Sequence, residues 1–212
     1  MRPEPPFQSS RALTIFVAAS VVLLVVFLAP IKPLERAYGS CFRVAGNALF
    51  GWFGPRGYVH FEPLAGDADR DTKVTLKNRE TGVQVDVGIS SRLQGYKPAA
   101  FLAALVLATP FRWPRRLRAL GWGLVWINLY VAGRVAMFLL FAFSGREEHA
   151  VFRVGPVVRG LIEVAHWSLV ESFGGWLLPP VVVWFLVCVA RGRGGEASAT
   201  RNADRRAGIV LL

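Results

Sequence analysis

Four apolar stretches, separated by polar ones, organise this chain. Residues 12–31 (ALTIFVAASVVLLVVFLAPI) form the first, and a helix of about 20 such residues matches the thickness of a bilayer core. Residues 96–111 form a shorter, weaker second stretch, with Lys97 placed to extend its ammonium outward. Residues 120–144 form the third and residues 168–190 the fourth, where Pro179 and Pro180 are expected to kink the helix. Between the first and second stretches the period changes. Phe42, Ala45, Leu49, Trp52 and Phe53 recur at helical spacing, as in an amphipathic helix. Alternation over residues 58–64, 72–78 and 83–89 then predicts three strands. Val83, Val85, Val87 and Ile89 share one face, and residues 78–82 join the last two strands as a hairpin. Pro63, Gly66 and Asp67 mark a loop before the second strand. The fold class expected is a membrane all-α bundle of four transmembrane helices with a small extracytoplasmic β-containing insertion.

Composition supports a membrane class. Of 212 residues, 53% are hydrophobic, with seven Trp and fifteen Phe, more apolar than an ordinary soluble domain. The net charge of +11 raises nucleic acid as a partner. The basic residues flank apolar segments instead, and no zinc-finger spacing or basic-aromatic stripe occurs, so nucleic acid is excluded. Arg2 and Arg11 precede the first stretch, and residues 112–118 carry four arginines. Both signals read as cytoplasmic. The expected order is a cytoplasmic N-terminus over 1–11, span 12–31, an extracytoplasmic helix and sheet over 32–95, span 96–111, and a basic cytoplasmic loop over 112–119. Span 120–144, an outer loop and amphipathic helix over 145–167, span 168–190 and a disordered cytoplasmic tail over 191–212 follow. The implied location is the inner membrane, multi-pass, with both termini inside. The first stretch exceeds a usual signal-peptide core and no A-x-A site follows, so it reads as a retained anchor. Cys41 and Cys188 fall at opposite ends of the membrane in this scheme, which precludes a disulfide. Both read as small buried residues, and no metal spacing occurs.

Polar residues inside these stretches are the candidates for chemistry. Arg134 lies in the third, where a guanidinium at mid-membrane costs at least about 2.5–3.5 kcal/mol. At about 1.5 Å per residue, Arg134 stands about 24 Å above Arg118. The same count places Glu171 about 30 Å and His166 about 37 Å above Arg191. Ser90, Ser91 and Tyr96 enter the second stretch from outside, so Ser90, Arg134, His166 and Glu171 can converge on one outer-leaflet pocket. Structural roles compete with this reading. Arg159, Glu163 and His166 share a helix face, as a solvated stripe with one salt bridge does. Asn128 fits an interhelical hydrogen bond, Glu171 fits a partner for Arg134, and His60 and His149 fit surface positions.

The order of strand, small-polar motif, apolar span, basic loop, Arg-bearing span and His resembles the exosortase/archaeosortase membrane transpeptidases. Residues 85–95 (VDVGISSRLQG) resemble the segment around that family's cysteine. Residues 127–134 resemble its arginine segment, and His166 with residues 173–176 (FGGW) its histidine segment. The resemblance covers residues 83–190. It implies a Cys that attacks a sorting-signal peptide, a His acid/base and an Arg that stabilises the oxyanion. Here Ser90 stands in place of the cysteine and Arg92 in place of a glycine. A thiol is readily driven to thiolate, whereas a serine hydroxyl requires an aligned base.

Two readings follow. One is a non-catalytic sorting or assembly factor that binds an exported protein, its sorting-signal peptide or another membrane protein at the outer leaflet. The other is a serine-type transpeptidase or protease with Ser90 as nucleophile, His166 as acid/base and Arg134 as oxyanion stabiliser. Glu171, Asn128 and Tyr96 are the supporting residues in both. No cofactor and no metal are implied. The partners are the lipid bilayer and a polypeptide. A transporter is disfavoured by the lack of inverted repeats.

Overall fold

The computed structural model describes residues 10–29, 32–54, 56–65, 70–144, 150–152, 154–171 and 176–190. Along them run α1 (Ser10–Leu28), α2 (Lys32–Phe50), β1 (Gly57–Pro63), β2 (Thr72–Asn78) and β3 (Gln84–Ile89). Then come α3 (Lys97–Ala108), α4 (Trp113–Phe143), α5 (Pro156–His166) and α6 (Leu178–Trp184). A π-helical turn, Arg92–Tyr96, leads into α3; another, Trp167–Glu171, follows α5, and a third, Phe185–Ala190, continues α6.

The strands form one antiparallel sheet in the order β1-β2-β3, within one residue of the bounds that alternation predicts. The alternation sorts side chains by face. Val59, Phe61, Val74 and Leu76 are buried and pack with Val135, Leu139 and Phe143 from the C-terminal part of α4. Phe42 and Phe50 of α2 and Phe53 beyond it close over the same cluster. The opposite face carries charge. Lys73 Nζ sits 2.5 Å from Glu62, directly across from it, and 3.6 Å from Asp86, while Thr75 Oγ1 donates to Asp86 at 2.8 Å. Opposite charges on neighbouring strands reinforce the register.

The two edges of the sheet are treated differently. Asn47 of α2 reaches β1, its amide donating to the Phe61 carbonyl at 2.9 Å and accepting the Phe61 N–H at 2.8 Å. The Phe61 backbone therefore points away from β2. With Phe61 opposite Val74 and Val74 opposite Val87, antiparallel alternation turns Val83, Val85, Val87 and Ile89 toward β2. The Asn78 N–H donating to the Val83 carbonyl at 3.0 Å follows that phase. Gln84, Asp86 and Gly88 are left with their backbone groups on the outer edge of β3, and no described strand pairs there.

The helices do not make a four-span bundle. Among the described residues one helix, Trp113–Phe143, is long and apolar enough to cross a membrane by itself. The first apolar stretch passes that test only jointly with α2, across a 79° bend. The expected second span condenses to α3, 12 residues and so about 18 Å long. It ends where Thr109 is extended ahead of Pro110, as the residue before a proline prefers. The expected fourth span is interrupted, and its apolar helix, Leu178–Cys188, is short. Pro179 and Pro180 fall in the first turn of α6 and start that helix rather than kink it. The basic loop expected over 112–119 is instead the first turns of α4, opened by Pro114. Arg115 and Arg116 stack there on Phe111 and Trp113 at 4.1 and 5.4 Å.

A second cluster joins Leu102 and Val106 of α3, Ala119 and Ile127 of α4, and Val183 and Val187 of the last helix. Trp184 Nε1 donates to Thr109 Oγ1 at 2.9 Å and Phe16 stacks on Trp184 at 5.4 Å, tying α1, α3 and α6 together. The outward sides of this half are apolar. Val25, Trp126, Leu161 and Leu186 are 65%, 52%, 67% and 55% exposed, and only 28% of the most apolar window of α4 is buried.

Candidate functional site

β3 runs directly into Ser90, and Ser90 lines a cleft of about 670 Å³ between α2, the sheet and the π-helical turn. Ser90 Oγ accepts the Leu93 N–H at 3.3 Å. Its neighbour Ser91 is buried, and both its N–H, at 2.7 Å, and its hydroxyl donate to the Asp71 carboxylate. Arg43 of α2 stands 4.0 Å from the same carboxylate. Gly39 makes this approach possible, since a Cβ there would lie 2.8 Å from Asp71 Oδ2 and 3.2 Å from Ser91 Oγ.

The turn also clamps the end of α1. Tyr96 Oη donates to the Phe27 carbonyl at 2.7 Å and Arg92 to the Leu28 carbonyl at 3.4 Å. These are last-turn carbonyls that have no partner within their own helix. Arg92 is further held by Glu35 at 3.0 Å. Burial holds the Tyr96 phenol above its usual pKa, with the Glu35 charge adding and Arg92 opposing, so it remains a donor. Gly95 lets the turn meet α2, where a Cβ would fall 2.0 Å from Tyr38 Oη.

Cations dominate among the described residues of the cleft. Lys32, Arg36, Arg43, Arg92 and Lys97 line it against two carboxylates, Glu35 and Asp71. Among the described residues no carboxylate pairs with Lys32 or Arg36.

The other candidates lie elsewhere. Arg134 is buried on α4 with its guanidinium 5.9 Å from the Tyr130 ring centroid. His166 is buried as well, stacked on Phe141 at 4.2 Å and beside Phe138 at 6.4 Å. Arg134, Phe138 and Phe141 share one face of α4, so His166 lies about 6–10 Å further along that helix than Arg134. The two thus belong to one helix packing, and neither is among the described residues lining the Ser90 cleft. His166 leaves the solvated stripe expected of it, because Ile162 and His166 turn inward while Arg159 and Glu163 pair at 2.8 Å outside. Asn128 donates to the Leu124 carbonyl of its own helix at 2.7 Å, and among the described residues it bonds to no other helix. Cys41 is exposed, against expectation, and Cys188 is buried; both are free thiols. His60 is exposed and stacks on Tyr58. The side chain of Glu171, His149, residues 66–67 and 173–175, and the termini 1–9 and 191–212 lie outside the described structure.

Asp71, Arg43 and Glu35 were not among the sequence candidates. One signal for this cluster was present: continuing the alternation of β3 past Ile89 by one step puts Ser91, rather than Ser90, on the buried face. No family model, no curated protein and no solved structure matches the chain.

Proposed function

We propose that this chain is a membrane-embedded, non-catalytic factor in the sorting or assembly of an exported protein, an exosortase-like protein without the nucleophile. The observation that carries this reading is the chemistry around Ser90. The described residues that line its cleft include no imidazole, and both carboxylates there are engaged, Asp71 with Ser91 and Glu35 with Arg92. A serine hydroxyl without a base in reach is not a nucleophile, whereas a large cleft with fixed donors is suited to binding. The bare apolar sides of α1, α4, α5 and α6 support placement in a bilayer, since soluble monomers rarely expose patches of that extent. The edge of β3, which no described strand pairs, offers three outward backbone positions to an extended segment of the exported partner, a mode in which main-chain bonds supply affinity.

Fluorophosphonate labelling of the detergent-purified protein separates binding from catalysis. The expected result is no adduct between pH 5 and pH 9. Stoichiometric labelling that disappears in both Ser90→Ala and His166→Gln would establish the serine enzyme instead.

A further inference from the structure

We infer that the Ser90 cleft receives the phosphate group of an anionic phospholipid whose acyl chains lie along α1. The inference rests on the reading of this cleft as a binding site and adds the class of its ligand. Three features converge. First, the described residues that line the cleft carry five cations against two carboxylates, and Lys32 and Arg36 are exposed, with no carboxylate partner among the described residues. Second, the cleft begins where α1 ends. Arg92 and Tyr96 line it and at the same time hold the Leu28 and Phe27 carbonyls. Those donors quench the partial negative charge of a helix C-terminus, which would otherwise repel an anion. Third, α1 leads to the cleft along an apolar flank, with Val21, Val22, Val25 and Val26 all exposed.

A ligand that satisfies all three has an anionic head and an apolar tail joined at one point. A soluble phosphate uses the cleft alone, and a fatty tail uses the flank alone. The volume of about 670 Å³ exceeds what a bare oxyanion fills and accommodates a glycerophosphate head. Arg36 and Lys32 supply the long-range attraction. Ser90 and Lys97 line the cleft as additional donors.

The test is native mass spectrometry of the full-length protein in neutral detergent. It is titrated with phosphatidylglycerol, with phosphatidylcholine and with inorganic phosphate. Phosphatidylglycerol is expected to bind at least about tenfold more tightly than phosphatidylcholine. The double variant Lys32→Gln/Arg36→Gln is expected to abolish that preference, because it removes two basic side chains that attract an anionic lipid head. Its circular dichroism melt is expected to match the parent, because both side chains are exposed. Equal affinity for the two lipids overturns the inference, as does a preference that survives in the double variant. Millimolar phosphate that displaces phosphatidylglycerol completely shows the free anion to be the ligand and overturns the lipid assignment. A fluorophosphonate adduct at Ser90 would defeat the non-catalytic reading by itself and leave the lipid titration to be judged separately.

Discussion

The two ends of α4 solve the same problem in opposite ways. Toward its C-terminus, Val135, Leu139 and Phe143 are covered by the sheet and by α2. Toward its N-terminus, Ile127 is covered by α3 and α6, but Trp122, Val125, Trp126 and Leu129 face outward. The sheet buries one apolar face and turns a ladder of charges to the outside, while Val44, Leu49 and Trp52 on and just after the covering helix α2 stay exposed. The helical half buries a thin core and turns apolar groups outward. In one solvent these would be conflicting designs. They agree if water meets the first half and lipid meets the second.

The largest effect expected is in the first half. Phe143→Ala removes a fully buried ring that stacks on Phe53 at 5.7 Å, and should cost about 3–5 kcal/mol in the thermal or denaturant melt of the detergent-solubilised protein. Leu129→Ala, the matching truncation on the bare flank of the same helix, should change that melt by less than about 0.5 kcal/mol. Equal losses at the two positions would erase the contrast. Next in size, Trp126→Arg or Leu129→Arg should raise the cost of insertion by about 2.5–3.5 kcal/mol, seen as protein lost from the alkali-resistant membrane fraction. Lys77→Ala on the exposed side of β2 should leave that fraction unchanged.

Asn47→Ala sharpens the account of the sheet itself. It strips two partners from the Phe61 backbone and should cost about 1–3 kcal/mol, with amide exchange at Phe61 accelerated well before the rest of β1. The smallest effect is pH-dependent. Asp86 is held below its usual pKa, first by the Thr75 hydroxyl and also by Gln84 and Lys73. Its contribution is therefore present above the unfolded-state value and is lost as pH falls through the lower folded one. Lys73 is raised, chiefly by its bond to Glu62. Its contribution is present below the unfolded-state value and is lost as pH rises through the higher folded one. Both groups are solvent-exposed, so each change should be slight. Thr75→Val should shrink the acid-side slope of stability against pH.

The strands were legible because one face must be dry and the other wet, and that requirement writes a period of two into residues 72–78 and 83–89. The amphipathic character of α2 was legible for the same reason, although Leu49 and Trp52 proved exposed while Phe42, Phe50 and Phe53 pack inward. Helix lengths were not legible. Apolar composition runs through residues 96–111 and 168–190 whether or not the backbone is continuous. Only the backbone reveals that α3 stops at Ala108 and that the last helix starts at Leu178. Pro179 and Pro180 carry the same letters as a kink and as a helix start. Depth counting assumed unbroken spans, which α3 and the last helix are not. The Asp71–Ser91 pair joins residues 20 positions apart, and Asn47 reaches β1 from a different element. Neither contact leaves a periodic trace.

The most direct test of the two-solvent account is thiol accessibility in reconstituted vesicles, with Cys41 and Cys188 replaced by Ala. Leu129→Cys and Lys77→Cys are each exposed to a membrane-impermeant maleimide, with the vesicles opened by freeze–thaw so that both faces meet the reagent. The account predicts rapid labelling at position 77 and protection at position 129 until detergent is added. Labelling at position 129 as fast as at 77 in intact bilayers would contradict it and return the flank of α4 to water.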